Sequence, residues 1–388
     1  MVIPYARQSI NQQDIDAVVA VLQSDYLTQG PAVPAFEQAV ADLVGAKHAI
    51  AGNSATSLLH VACLALDVKP GDLVWTSPIS FVASANCALY CGAEIDFVDI
   101  DSETFNMSPS ALEEKLEQAR KNNKLPKVII PVHMGGQSCE MQTIHSLAKK
   151  YGVRVIEDAS HAIGGSYNGK RIGDCRYSDI TIFSFHPVKI ITSGEGGMAT
   201  TQDEHLAKKM QMFRSHGITR NSQEFVNAND GPWYYEQQEL GFNYRLTDIA
   251  AALGLSQLQR IDHFINQRNE IADRYNKAFT GTAITAPSIS ENVISAFHLY
   301  IARYEFSNHD ITKGHLFSAM KEHGILLNLH YMPIYRQPFF QKLGFDATNF
   351  PNAEKYYAEA FSIPMYADLQ ESDQNSVISS LLNVLSAQ

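Results

Sequence analysis

Short apolar runs alternate with helical patterns up to about residue 250, and this alternation constrains the fold more than any other feature of the sequence. The spacing of apolar residues predicts helices at residues 34–44, 57–66, 108–122 and 139–151. It predicts strands at residues 73–76, 95–98, 127–132, 153–157 and 179–183. Such alternation is typical of a mostly parallel sheet with helices on both faces. The sequence therefore predicts an α/β fold.

The C-terminal part of the chain has a different pattern. Residues 247–279 keep helical spacing, and Thr247 is the predicted N-cap. A strand is expected at residues 297–306, and helices at residues 315–323 and 371–385. Because 388 residues are long for one core, we expect a large domain at residues 1–255 and a smaller α+β domain at residues 256–388. Residues 223–238 are polar and rich in aromatic residues, which predicts a loop or flap.

Composition limits the kind of partner. A net charge of −11 argues against nucleic acid, which requires a basic face. The N-terminal segment has no apolar core of a signal peptide, and no apolar run approaches the roughly 18–20 residues of a membrane helix. The five cysteines are scattered without a Cys-x-x-Cys pair, so we expect reduced, mostly buried thiols and no metal site. These features predict a cytoplasmic protein, and the net charge does not exclude a phosphorylated small molecule, because a local pocket can be positive on an acidic protein.

Three segments are predicted to bring reactive groups to one edge of the sheet, where open α/β sheets bind ligands. Asp158 follows one strand, and its carboxylate could pair with a protonated pyridine nitrogen. Lys189 follows another strand and Ser184, and a partly neutral lysine forms imines with carbonyl compounds. Small residues at 52–56 open a helix whose free N–H groups could bind a phosphate. Singly, each feature also fits a helix cap or a surface charge, but together they predict a cofactor site.

Two nucleotide-binding motifs are absent or incomplete. Residues 164–170 read G-x-x-x-x-G-K, as in a nucleoside-triphosphate loop, but Arg171 stands where Ser or Thr would bind magnesium. We expect a turn around Asn168 and Gly169 instead. No G-x-G-x-x-G follows a first strand, so a dinucleotide-binding fold is disfavoured.

The set Asp158, His161, Ser184 and Lys189, with GEGG at residues 194–197, resembles the DegT/DnrJ/EryC1/StrS family of sugar aminotransferases. The resemblance covers nearly the whole chain, and includes LTQGP at 27–31, NSAT at 53–56 and HYMPIY at 330–335. It implies the fold type I architecture of aspartate aminotransferase. It also implies pyridoxal 5'-phosphate (PLP) as the cofactor, and a homodimer with an active site shared across the interface.

The resemblance implies how the cofactor ring would be held. Lys189 would form the Schiff base with PLP and transfer the proton between the substrate and cofactor carbons. Asp158 would face the pyridine nitrogen, and His161 would lie near the ring hydroxyl. Phe81 would stack on the ring.

The same resemblance implies which residues bind the phosphate and the substrate. Within one subunit, the phosphate would be held by Ala55, Thr56 and Ser184. Asn243 would reach the phosphate of the cofactor in the other subunit. Arg245, His330 and Tyr331 are candidates for substrate contacts, although Arg245 also precedes a helix and could form an interface ion pair instead.

The substrate is suggested by FHPVK at residues 185–189, RSHGITR at 214–220 and WYYEQ at 233–237. These segments resemble the branch of the family that transaminates a UDP-linked 4-keto-6-deoxy N-acetylhexosamine in pseudaminic acid biosynthesis. Glutamate is the implied amino donor, in a ping-pong cycle. Ile190 and Ile191 depart from the expected polar residue and threonine, which leaves the packing of that loop open.

Three alternatives remain at this stage. The first is amino transfer to another UDP- or dTDP-linked 4-keto or 3-keto hexose, which the core motifs do not distinguish. The second is a sugar dehydratase, but such relatives carry histidine where this chain has Lys189. The third is a regulatory binding protein, which would not need Lys189, Asp158 and Ser184 together.

Overall fold

The computed structural model describes residues 2–386 of the 388-residue chain, with Ser386 described by its backbone only. The α-helices of this part of the chain are α1 (Gln12–Leu22), α2 (Ala32–Val44), α3 (Ala55–Ala65), α4 (Ala83–Tyr90), α5 (Pro109–Lys121), α6 (Met141–Tyr151), α7 (Glu204–Arg214), α8 (Asp248–Leu258), α9 (Ile261–Phe279), α10 (Lys313–Glu322), α11 (Pro338–Gln341), α12 (Pro351–Glu359) and α13 (Glu371–Ser386). The strands are β1 (His48–Gly52), β2 (Leu73–Thr76), β3 (Glu94–Phe97), β4 (Val128–Ile130), β5 (Arg154–Asp158), β6 (Ser166–Tyr167), β7 (Lys170–Arg171), β8 (Ile180–Ser184), β9 (Gly197–Thr201), β10 (Ile218–Thr219), β11 (Glu236–Gln237), β12 (Val293–Ile294), β13 (Tyr300–Arg303) and β14 (Ala360–Ile363).

A seven-stranded sheet forms the centre of the fold, in the order β1-β9-β8-β5-β4-β2-β3. The neighbouring pairs from β8 to β3 are all parallel, whereas β9 runs antiparallel to both β1 and β8. The short strand β4 is completely buried, as its three β-branched residues predict. The predicted mostly parallel α/β sheet is therefore confirmed, and β5 and β8 lie side by side with their carboxyl ends together.

The strand predicted at residues 73–76 coincides with β2, and the other predicted strands of the sheet differ from the observed ones by one or two residues at their ends. The prediction of one continuous helix at residues 247–279 is wrong, because α8 ends at Leu258 and α9 begins at Ile261. Tertiary contacts explain the break: Arg260 binds the carboxylate of Asp14 at 2.5 Å, and Gln257 binds the same carboxylate at 2.7 Å. The predicted cap is confirmed, since the side chain of Thr247 accepts a hydrogen bond from the backbone N–H of residue 250 at 3.2 Å.

A second, smaller sheet pairs β13 with β14 in antiparallel register. The strand predicted at residues 297–306 is shortened to β13, because the carbonyl groups of Phe297 and His298 accept hydrogen bonds from the buried guanidinium of Arg268 at 3.1 and 3.3 Å. The core around this sheet includes Ile3 as well as residues from α9 and α13. A domain boundary near residue 255 stays a proposal.

The turn predicted in place of a nucleoside-triphosphate loop is confirmed. Strands β6 and β7 pair in a hairpin, and Asn168 and Gly169 connect them. Both connecting residues have positive φ, at 49° and 71°, as the preferred two-residue hairpin turn requires. The polar segment at residues 223–238 is mostly a loop, and the pairing of β10 with β11 closes its base.

Two properties of the described residues bear on binding partners. None of their helices combines the length and the apolar character needed to cross a membrane. They contain no group of three or more His, Cys, Asp or Glu side chains arranged to hold a metal ion. The five cysteines are all free thiols in buried positions, as the sequence predicts.

Candidate active site

A cavity of about 1070 Å³ opens where β5 and β8 end. The residues predicted for the site that line this cavity are Lys189, Ala55, Thr56, Phe81, Asp158, His161, Ser184, His330 and Tyr331. They come from both ends of the sequence, because the His330 segment folds back over the edge of the large sheet. The structure therefore gathers most of the predicted residues around one space.

Asp158 is the last residue of β5 and is only 4% exposed. Its Oδ2 accepts a hydrogen bond of 2.6 Å from the hydroxyl of Ser84 in α4, and its Oδ1 accepts one of 3.1 Å from the backbone N–H of Ser160. The Ser84 hydroxyl also lies 2.7 Å from that of Ser80. These contacts fix the carboxylate at the wall of the cavity, where a cationic ring nitrogen could approach it.

Lys189 lies in the turn that follows β8, where its backbone N–H donates to the carbonyl of His186 at 2.9 Å. Burial in the cavity lowers the pKa of the Lys189 amine to about 8, although the nearby charge of Asp158 opposes this effect. Near neutral pH a much larger fraction of this amine is therefore neutral than of an ordinary lysine with a pKa of 10.5. A neutral lysine amine can attack a carbonyl carbon and can accept a proton.

Three histidines surround this lysine. The rings of His161 and His298 lie 4.4 Å apart between centroids, and Nε2 of His161 lies 3.2 Å from the hydroxyl of Tyr331. Nδ1 of His330 lies 2.9 Å from the hydroxyl of Ser362. Burial, reinforced by the positive charge of Lys189, lowers the pKa of all three rings, that of His330 to about 3. We conclude that these imidazoles are neutral at physiological pH.

Two of these rings have a buried nitrogen without a hydrogen-bond partner among the described residues. They are Nδ1 of His161 and Nδ1 of His298. Buried polar atoms in folded proteins nearly always have a partner, so each exception needs an explanation. Since both residues line the cavity, a ligand with polar groups would provide the missing partners.

The start of α3 forms another wall of the cavity. Ser54 is the N-cap, and its side chain accepts a hydrogen bond from the N–H of Ser57 at 3.1 Å. The first helical residues, Ala55 and Thr56, face the cavity, and N–H groups at a helix start favour an anion. Gly197 allows this arrangement, because a Cβ atom at that position would lie 2.6 Å from the backbone nitrogen of Ala55.

Asn243 and Arg245 do not line the cavity of this subunit. Their segment packs behind Asn53, whose backbone N–H donates to the carbonyl of Tyr244 at 2.8 Å. The side-chain amide of Asn53 also lies 3.5 Å from the carbonyl oxygen of Asn243. The roles predicted for Asn243, across a subunit interface, and for Arg245, toward substrate, stay predictions.

The sequence did not identify several other residues of the cavity. Tyr5, His298 and Asn328 line it, and the Tyr5 ring lies 5.3 Å from that of His330. His298 precedes a short apolar strand and Tyr5 belongs to the N-terminal segment, so neither belongs to a local motif. Ser84 had a weak local signal, because a hydroxyl in the first turn of a helix faces the same way as the residues before that helix.

The fold and the cavity define the class of this protein, which is a fold type I enzyme. Its mostly parallel sheet brings a lysine of lowered pKa, a fixed carboxylate and the start of a helix together at the carboxyl ends of the strands. The chain belongs to the DegT/DnrJ/EryC1/StrS aminotransferase family, whose model matches residues 8–382. Aminotransferases of this family are PLP-dependent.

Similar proteins cover almost the full chain. It is 37% identical to the spore coat polysaccharide biosynthesis protein SpsC of Bacillus subtilis, over 99% of this chain and 97% of that protein. It is 38% identical to a UDP-4-amino-4,6-dideoxy-N-acetyl-β-L-altrosamine transaminase of Campylobacter jejuni, over 99% and 97% of the two chains.

Solved structures agree with this placement. Helicobacter pylori PseC, an aminotransferase involved in the biosynthesis of pseudaminic acid, superimposes with a TM-score of 0.91 at 32% identity, covering 100% of both chains. The PLP form of Spr1654 from Streptococcus pneumoniae superimposes with a TM-score of 0.88 at 29% identity, covering 99% of this chain and 98% of that one. The predicted family and fold type are confirmed, and the chain is a sugar aminotransferase.

Proposed function

We propose that this enzyme uses PLP to transfer the amino group of glutamate to a UDP-linked 4-keto-6-deoxy N-acetylhexosamine, in a ping-pong cycle. The observation that carries the proposal is the position of Lys189 and Asp158 in one cavity, where burial lowers the pKa of the lysine to about 8. A binding protein would have no use for a lysine held in this state.

The residues of the cavity fit the cofactor. Asp158 offers a fixed carboxylate to the pyridine nitrogen. Nδ1 of His161, a buried atom with no hydrogen-bond partner within residues 2–386, could bind the ring hydroxyl. The start of α3 and Ser184 offer donors to the phosphate. Phe81 is 57% exposed although it lines the cavity, so its ring face is available for stacking. Bound PLP would supply an electron sink for the carbon that loses its proton.

The chain's own contribution to catalysis centres on proton transfer. Lys189 Nζ would hold the cofactor until the amino donor displaces it, and the freed amine would then take a proton from the α-carbon of the donor. With a pKa near 8, the amine can both accept this proton and release it again at neutral pH. Asp158 would keep the pyridine nitrogen protonated, and the walls of the cavity would exclude water.

The acceptor sugar is proposed from three observations. The names of the Campylobacter and Helicobacter proteins refer to a UDP-linked amino sugar and to pseudaminic acid biosynthesis. The cavity, at about 1070 Å³, has room for a sugar and part of its nucleotide beside the cofactor. His330 and Tyr331 line it and are our candidates for sugar contacts. Transfer to another UDP- or dTDP-linked keto hexose is the second candidate.

We also propose that the enzyme is a homodimer and that Asn243 crosses the interface. Ile15, Val19 and Leu22 lie on one face of α1 and are 47%, 41% and 55% exposed, so they form an apolar stripe that a second copy could cover. Sedimentation equilibrium tests the dimer: a monomer at micromolar concentration would contradict it.

We place the reaction in the cytoplasm, because five free buried thiols fit a reducing compartment.

The experiment that tests this function supplies the PLP-loaded enzyme with ¹⁵N-labelled glutamate and a panel of UDP- and dTDP-linked keto sugars. We expect mass spectrometry to detect ¹⁵N in a UDP-linked 4-amino sugar. Labelling of a dTDP-linked or 3-amino sugar alone would replace the proposed acceptor with the second candidate. An absence of label in every sugar, with an enzyme that retains bound PLP, would contradict the proposed reaction.

Two lysine variants provide the controls. Lys189→Ala should abolish transfer. Lys170→Ala removes the exposed lysine of the β6–β7 hairpin, outside the cavity, and should leave transfer unchanged.

A further inference from the structure

A hydrogen bond between Tyr331 and His161 joins two distant segments at the wall of the cavity. The hydroxyl of Tyr331 lies 3.2 Å from Nε2 of His161, and the two residues are 170 positions apart in the chain. Their rings are stacked, with 6.1 Å between centroids and 24° between planes. The ring of Phe81 also packs against Tyr331, at 6.2 Å between centroids. The hydrogen bond is therefore part of a packed arrangement of rings.

The two ring nitrogens of His161 have different surroundings. Nε2 is bonded to Tyr331, whereas Nδ1 is buried and has no hydrogen-bond partner among the described residues. The ring of His298 lies only 4.4 Å away between centroids, but its own Nδ1 is unpartnered too, so these two atoms do not bind each other. A neutral imidazole carries one hydrogen, and the partner of one nitrogen decides which nitrogen keeps it.

Both partners of this hydrogen bond are uncharged near neutral pH. Burial, together with the positive charges of Lys189 and His330, holds the pKa of His161 well below its usual value, so the ring carries one hydrogen. Burial, together with the negative charge of Asp158, raises the pKa of the Tyr331 hydroxyl, so this group keeps its proton. The hydrogen bond can therefore run in two directions, from the hydroxyl to the ring or from the ring to the hydroxyl.

The two directions leave different numbers of polar groups without a partner. If Nε2 of His161 donated, the hydroxyl hydrogen of Tyr331 and the lone pair of Nδ1 would both lack a partner within residues 2–386. If Tyr331 donates to Nε2, only the N–H at Nδ1 lacks one. Since each buried polar group without a partner costs free energy, the second direction is favoured.

We propose that Tyr331 is a positioning residue that fixes His161 in the tautomer with its hydrogen on Nδ1. His161 then presents a hydrogen-bond donor to a ligand, which fits an anionic oxygen and disfavours a group that can only donate. The identity of that oxygen rests on the proposed function: it is the ring oxygen of PLP, a phenol whose anion only accepts hydrogen bonds. Tyr331 thus acts on the cofactor through His161, and its oxygen keeps a lone pair for a sugar hydroxyl.

Nuclear magnetic resonance of the cofactor-free enzyme tests the tautomer directly. The histidines are labelled with ¹⁵N, and two-bond ¹H–¹⁵N spectra at neutral pH distinguish a ring nitrogen that carries hydrogen from one that does not. His161→Phe identifies the signals of His161, which should show the hydrogen on Nδ1. In Tyr331→Phe, the form with the hydrogen on Nε2 should appear. Tyr5→Phe is the matched control, because it removes a hydroxyl of the same cavity that is not bonded to His161, and should leave these signals unchanged.

A double-mutant cycle on PLP binding tests whether Tyr331 acts through His161. Tyr331→Phe should raise the Kd for PLP by about three- to tenfold in the otherwise wild-type enzyme, because the donor at Nδ1 is no longer fixed. In the His161→Phe background the same substitution should change the Kd by less than about twofold, since no imidazole remains to be positioned. A tyrosine that only packs in the wall of the cavity would change the Kd by the same factor in both backgrounds.

Three results would overturn the proposal. The first is a wild-type His161 with its hydrogen on Nε2, and the second is a set of His161 signals that Tyr331→Phe leaves unchanged. The third is an equal change of Kd in the two backgrounds of the cycle. Because the tautomer is measured without cofactor, its outcome is separate from that of the proposed function, which a wild-type enzyme unable to bind PLP would contradict.

Discussion

The hydroxyl of Ser84 donates a hydrogen bond of 2.6 Å to Oδ2 of Asp158 and so joins the first turn of α4 to the end of β5. Both side chains are buried, Ser84 completely. The N–H of Ser160 holds the second carboxylate oxygen, so Asp158 is fixed from two directions before any ligand arrives. Because a preorganised carboxylate loses little freedom on binding a cation, Ser84 should contribute to cofactor function through Asp158.

Ser84→Ala should weaken cofactor binding and slow turnover, because it removes a hydrogen bond to a charged group, which is worth about 1.5–3 kcal/mol. We expect a loss of about tenfold or more in kcat together with a higher Kd for PLP, measured by quenching of protein fluorescence. Ser146→Ala, which removes a helical hydroxyl bonded only to its own helix backbone, is the matched control. Equal loss in both variants would contradict a specific role for Ser84.

Capture of PLP by the cofactor-free enzyme should depend on pH through Lys189. Its pKa is lowered from the ordinary value of 10.5 to about 8, so the reactive neutral amine becomes abundant as pH rises through about 8. The capture rate, followed by absorbance after mixing, should rise between about pH 7 and pH 8.5 and level off above about pH 9. A rate that continues to rise beyond about pH 10 would indicate an ordinary lysine.

His161→Phe should weaken cofactor binding without lowering the thermal stability of the fold. The substitution removes Nδ1, a buried atom with no partner in the described part of the chain, together with the 3.2 Å contact with Tyr331. Since loss of an unsatisfied polar atom offsets loss of a hydrogen bond, we expect a Tm close to that of the wild type without PLP. The Kd for PLP should increase by about tenfold, as expected for one lost hydrogen bond. An unchanged Kd would remove His161 from the cofactor site.

Asp248→Ala should destabilise the fold. The carboxylate of Asp248 is 1% exposed and accepts hydrogen bonds from the backbone N–H groups of Gly30 and Ala32, both at 2.8 Å. Leaving these donors without a partner should lower the free energy of unfolding in urea by about 2–3 kcal/mol. Asp262→Ala, which also removes a carboxylate from the first turn of a helix, α9, but one that is exposed and paired with Arg171, should cost less than about 1 kcal/mol. Similar losses would contradict this explanation.

The sequence predicted the parts of the site that follow local rules. Asp158 and Ser184 end buried strands and Ala55 begins a helix, so periodicity and strand-end position were sufficient to bring them together. Lys189 alone would read as a surface charge; its neighbours predicted that it belongs to a cofactor site, and the family resemblance then implied its Schiff-base role.

The features that the sequence did not predict depend on contacts between residues that are far apart in the chain. His298 lies beside His161 because Arg268, in α9, binds the carbonyl groups of Phe297 and His298, just before β13 begins. The break between α8 and α9 depends on Asp14, more than 240 residues earlier in the chain. No spacing rule within a window of one helix or strand contains such information.

The bond between Lys189 and the cofactor is the most direct test of the account. The PLP-loaded enzyme is reduced with sodium borohydride, which makes the bond between the lysine nitrogen and the cofactor carbon permanent, and is then digested and analysed by mass spectrometry. We predict a phosphopyridoxyl group on Lys189, with the same label in Lys170→Ala and none at any lysine in Lys189→Ala. A label on a different lysine of the wild-type enzyme, or none at all, would contradict the central claim.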